Sequence, residues 1–225
     1  KLNFNVFNLI ILMGIIQGFL FGFIILFSKK LNNKTNIYLS FTSFSLSVSN
    51  LQYWLIDIEL NKFYPFLDWL RIPTEFLIIP MFYIFILKYL ENILNLKIKI
   101  LLCLPFIFST LFQSIYFFDK IFKLDLINET YSKHYFVIEE FCSFSISIFL
   151  LTKIFLVLNK VKKDYDFDKI SIQTKWITEI LFIGVTGCFL WLVSIYFMNR
   201  INIFSYSKYY PIWIFISFII YFLSY

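Results

Sequence analysis

The chain has 225 residues, is 60% hydrophobic, and carries a net charge of +6 with a mean hydropathy of +0.78. Soluble domains are about half apolar, so a water-soluble globule is excluded as the default reading; repeated apolar runs near the ~20 residues that cross a bilayer point to membrane helices. The basic balance is no argument for nucleic acid, because the lysines sit in short loops between apolar runs, as the positive-inside rule describes. Alanine is absent and Phe occurs 32 times, a bias of AT-rich coding and not of function. Cys103, Cys142 and Cys188 fall in separate apolar runs, a spacing that fits neither a disulfide framework nor zinc.

The expected fold is all-α: a single integral membrane domain of seven spans. The first, Asn5–Phe27, is uncharged, too long for a signal peptide and without a cleavage site. Its Gly14, Gly18 and Gly22 recur every four residues, which puts small residues on one face and permits close helix packing. The second span, Ile37–Ile56, carries Ser43, Ser47 and Asn50 at helical spacing, a stripe that should face other helices, and ends on Tyr53 and Trp54. The third, Trp69–Tyr89, is apolar but contains Arg71 and Glu75, with Pro73 in its first turns and Pro80 inside. Pro80 should bend this helix and is the candidate hinge. The fourth span, Ile100–Phe118, has no charge and contains Pro105; the fifth, Tyr135–Leu158, carries Glu139 and Glu140 about one turn in. The sixth, Trp176–Met198, contains Glu179, expected to partner loop lysines, and the seventh, Tyr209–Tyr225, is uncharged and aromatic. The lone His134 is read as a loop residue.

Lysine and arginine counts set the expected orientation. The loops after spans one, three and five hold eleven, and the opposite ends hold seven. That bias places the N-terminus outside and the C-terminus in the cytoplasm. Spans three and five then both run inward. At about 1.5 Å per residue, Glu75 should lie roughly 9 Å below the outer end of span three. Glu139 and Glu140 should lie roughly 6–8 Å below the outer end of span five. Arg71, Glu75, Glu139 and Glu140 thus share one layer in the outer third of the bundle. Ionisable groups in hydrocarbon are costly and face a partner or a cavity. Three readings stay open: a polar ligand pocket open to the outside, pairs that pin spans three and five together, or side chains that snorkel into interfacial water. Three carboxylates against one guanidinium would favour cationic or polar ligands, or protons.

Catalysis finds no support: there is no HExxH, no GxSxG and no phosphate-cradling glycine loop. No enzyme activity, cofactor or metal site is expected.

Several segments together resemble a known family. They are GIIQGFLFGFIILFSKKLNNKTNIYL in spans one and two, IPTEFLIIPMFYIFILKYL in span three, LPFIF, YFVIEEF, KWITEILF, and the closing YYPIWIFISFIIYFLSY. In order and spacing the chain resembles the seven-helix membrane module of bacterial membrane-bound AraC-type transcriptional regulators, in which a membrane domain precedes a cytoplasmic helix-turn-helix domain. The family pattern ends aromatic–Gly–Tyr, and here Ser224 stands in the Gly position. The resemblance implies a sensory unit in the bacterial inner membrane that passes an external or membrane signal to a DNA-binding domain beyond Tyr225. It is compatible with a homodimer, since such regulators read paired half-sites. Two other classes fit the residues: a small polytopic transporter, and a subunit of a membrane complex, either with its polar site in the outer third.

Overall fold

The computed structural model describes residues 2–28, 33–91, 94–164, 167–201 and 210–224, and every regular element among them is helical. In chain order these are α1 (Val6–Phe27), α2 (Asn36–Asp57), α3 (Glu75–Tyr89), α4 (Leu96–Phe122), α5 (Glu129–Asp164), α6 (Phe167–Ile201) and α7 (Tyr210–Ser224). Two short 3-10 turns, Leu60–Lys62 and Pro65–Asp68, fill the connection between α2 and α3. Four helical stretches are long and apolar enough to cross a membrane: Val6–Phe27, Leu96–Phe122, Thr130–Val161 and Lys175–Ser194. Their outward faces expose large apolar side chains such as Met13, Phe108, Leu111 and Phe182. Contiguous apolar surface of that kind is rare on soluble monomers.

Several expected boundaries move. α4 begins at Leu96 and runs to Phe122, α5 begins at Glu129, and α6 begins at Phe167. Hydropathy marks only the apolar middle of a helix, and its polar end turns are helical as well. His134 therefore lies exposed on α5 and not in a loop. The larger correction concerns span three. Its helix starts at Glu75, and residues 70–73 are not helical. Pro73 disfavours the helical conformation at Ile72. Arg71 thus precedes α3 instead of sitting inside it, Pro73 precedes the helix as well, and Glu75 is its first residue, not a residue two turns deep. Glu179 is exposed, and no ion pair joins it to a lysine among the described residues.

Side-chain contacts set the helix directions. Ser43 Oγ donates to the Gly18 carbonyl (2.8 Å) and Ser40 Oγ to that of Gly22 (2.9 Å), so α1 and α2 run antiparallel. Gln52 meets Ile72 while Tyr38 meets Lys88, so α2 and α3 do too. Phe112 stacks on Tyr135 while Ser109 reaches Glu139, which makes α4 and α5 antiparallel. Glu140 bonds Trp191 and Leu151 meets Gly184, the same relation for α5 and α6. Gly14 faces Ser217 and Gly18 faces Ile220, so α1 and α7 are parallel.

α3 occupies the middle of the bundle. It packs against α2, α4 and α5, and Phe82, Ile84, Phe85, Ile86 and Leu87 are all buried. A helix apolar all round belongs in such a position. Pro80, also buried, lies inside it and removes one backbone donor. α1, α2 and α7 form a second unit built on small residues. A Cβ at Gly14 would come within 2.5 Å of Ser217, one at Gly18 would meet the Ser47 hydroxyl, and one at Gly22 would come within 2.5 Å of Phe44. Ser43, Ser47 and Asn50 are each at 0% exposure. Their hydroxyls and amide bond backbone carbonyls and Ser217 instead of water. Gln17 Nε2 donates to Ser224 Oγ (2.9 Å), closing the seam at the far end of α7.

Gly18→Leu should therefore destabilise the bundle by about 1–3 kcal/mol, the usual range for overpacking. Gly184→Ala, where a Cβ meets only Leu151 at ordinary contact distance (3.4 Å), should stay within about 0.5 kcal/mol. Thermal unfolding of the detergent-solubilised variants measures both.

Candidate functional site

The candidate site forms where the non-helical strand before α3 meets α4, α5 and α6. Gln52 on α2 holds that strand. Its side-chain amide accepts from the Ile72 N–H and donates to the Ile72 carbonyl (3.0 Å), which also accepts from the Thr74 N–H (2.8 Å). Pro73 and Thr74 pack inside, and the Arg71 side chain stands beside the start of α3, 41% exposed.

Arg71 Nη2 lies 2.9 Å from Glu75 Oε1 and 3.7 Å from Glu139 Oε2. Its guanidinium also sits over the Phe136 ring, 5.4 Å from the centroid. Glu139 is the deepest of these groups, with a side chain only 1% exposed. Two α4 side chains serve it. Ser109 Oγ donates to Glu139 Oε1, and Gln113 Nε2 donates to Oε2 (3.0 Å) and Oε1 (3.3 Å). Glu140, one residue on, turns toward α6 and accepts from Trp191 Nε1 (3.1 Å). Trp191 is held in turn by an edge contact with Phe144.

The four expected residues therefore lie at one level, but in two groups. Arg71, Glu75 and Glu139 form a bridged set; Glu140 belongs to a separate bond with α6. Sequence reasoning missed Gln52, Ser109, Gln113 and Trp191. Ser109 and Gln113 stand four residues apart in a largely apolar run that also holds Thr110 and Ser114. That spacing puts both on one helix face and was the available signal.

Magnitudes rank the contacts. A half-exposed ion pair contributes about 0–1 kcal/mol. Leaving a buried group without its partner costs about 1–3 kcal/mol, and more when the group is charged. The stability of the site thus rests on the donors from α4, while Arg71 is held loosely at its open edge. A small apolar cavity of about 60 Å³, lined by Leu46, Ile78, Phe82, Leu151 and Ile219 among others, lies apart from these charges. A space so lined stays dry.

Comparison of the chain with protein-family models, with curated proteins and with solved structures finds no match.

Gln113→Leu should lower stability by at least about 1–3 kcal/mol, because it strips two hydrogen bonds from a buried carboxylate. Arg71→Met should cost about 1 kcal/mol or less. Equal losses in denaturant titrations of the two variants would contradict this ranking.

Proposed function

We propose that the chain is the membrane-embedded sensory unit of a one-component transcriptional regulator. It would cross the bacterial inner membrane seven times, with its N-terminus outside and a helix-turn-helix domain following Tyr225 in the cytoplasm. One observation carries the reading. A buried carboxylate, Glu139, is anchored to α4 by two donors and covered by a half-exposed guanidinium from the start of α3. A cationic or polar signal arriving from outside can compete with Arg71 for Glu75 and Glu139 without disturbing the α4 anchor.

Displacing Arg71 would free the 70–74 strand from α5, and α3 is the central helix of the bundle. Its neighbours would then redistribute between two arrangements, with Pro80 as the bending point. α7, packed in parallel on α1, would carry the change to the C-terminal end.

The alternating helix directions support seven passes, since each helix brings the chain back to the opposite end of the bundle. α3 and α7, with 15 residues each, span only about 22 Å as helices. The hydrocarbon core is ~30 Å thick. For α3 the non-helical residues 70–73 before it add length. The lysine bias and the family resemblance support the orientation and the class.

In cells carrying the full-length gene, Glu75→Gln, Glu139→Gln or Glu140→Gln should shift reporter transcription by at least about fivefold, the low end of ordinary allosteric coupling. Unchanged transcription in all three variants sinks the sensing site. Cysteine labelling tests the topology separately: Lys62→Cys should react from outside the cell, and Lys97→Cys only after permeabilisation.

A further inference from the structure

The end of the bundle opposite the charged layer carries a second, unassigned cluster. The segments 28–38 and 88–100 contain six lysines and a single carboxylate, Glu91. The positive-inside rule accounts for lysines in such loops. It does not account for their convergence. Lys88 at the end of α3 places Nζ 4.6 Å from the centre of the Tyr38 ring on α2, and its ammonium donates to the Lys34 carbonyl (3.0 Å). Lys99 on α4 places Nζ 6.0 Å from the centre of the same ring. Two half-buried cations from two helices thus lie over one aromatic ring, and neither is ion-paired with a carboxylate among the described residues.

Like charges gathered without a counter-charge favour an anion between them. An apolar side chain adjoins the cluster: Phe41, one turn along α2 from Tyr38, is exposed. A ligand that satisfies both features has an anionic head and an apolar tail. Cytoplasmic leaflets present such molecules, and each lysine near their surface contributes on the order of 1 kcal/mol of attraction.

We propose that Lys88, Lys99 and Tyr38 form a binding site for the phosphate headgroup of an anionic phospholipid, whose acyl chains lie along Phe41. The site bridges α2, α3 and α4. Occupancy would hold the inner end of the central helix while its outer end carries the charged layer. This proposal requires only that this end of the bundle meet a membrane surface, and it stands apart from the sensory reading.

The test titrates the purified protein in mild detergent with dioleoylphosphatidylglycerol and, separately, with dioleoylphosphatidylcholine, and counts bound lipids by native mass spectrometry. Phosphatidylglycerol should bind the wild type more tightly than phosphatidylcholine. Lys88→Gln and Lys99→Gln should each weaken its binding by about fivefold. Lys62→Gln, which removes an equal charge at the other end of the bundle, should leave it unchanged. Equal binding of the two lipids overturns the proposal, as does wild-type affinity in the lysine variants or an equal loss in Lys62→Gln. Full competition by millimolar inorganic phosphate overturns the lipid as the ligand. If Lys88→Gln does not fold, Lys99→Gln alone decides, since Lys99 makes no hydrogen bond to the Lys34 carbonyl.

Discussion

Glu139 has to keep its charge, or at least its polarity, in the interior of a helical bundle. Its side chain is only 1% exposed, so the hydrogen bonds it needs come mainly from a neighbouring helix. Ser109 and Gln113 meet that requirement and in doing so dock α4 against α5; α4 also packs on α3 and presents apolar side chains to the outside. The same demand explains why the chain before α3 is extended. A helical turn there would carry Arg71 away from α5, whereas Pro73 and the Gln52 amide hold it within 3.7 Å of the carboxylate.

The rest of the bundle is built on a different solution. On α1 and α7 there is no charge to satisfy, α2 carries only Asp57 at its end, and close approach does the work. Gly14, Gly18 and Gly22 let the backbone of α1 come near enough for the α2 serines to bond its carbonyls directly. Dispersion and interhelical hydrogen bonds of this kind replace the hydrophobic effect, which is weak between helices in lipid. One half of the molecule is therefore tightly keyed, and the other is joined through a polar layer with one half-exposed cation. A signal that acts on charge would meet the second half and be resisted by the first.

The two polar features lie at opposite ends of α3. Arg71 and Glu75 stand at its start and Lys88 at its last turn, with Pro80 between them. α3 also touches most of its neighbours through buried Phe and Ile side chains. A change in position at either end reaches the interior of the bundle through that one helix.

Composition and periodicity determined the helical class, the approximate place of each helix and where ionisable residues interrupt the apolar runs. A run of apolar residues interrupted by Arg71, Glu75, Glu139 and Glu140 is legible because hydrocarbon penalises charge so heavily that each instance stands out. The glycine period and the Ser43–Ser47–Asn50 stripe were legible for the same reason, since both obey the helical repeat. What only the tertiary structure decided was partnership. Gln52, Ser109, Gln113 and Trp191 are uncharged, and nothing in their local sequence says which carboxylate or carbonyl they will meet. The start of α3 at Glu75 was hidden likewise, because the segment before it is held in part by the Gln52 amide, twenty residues away from Ile72.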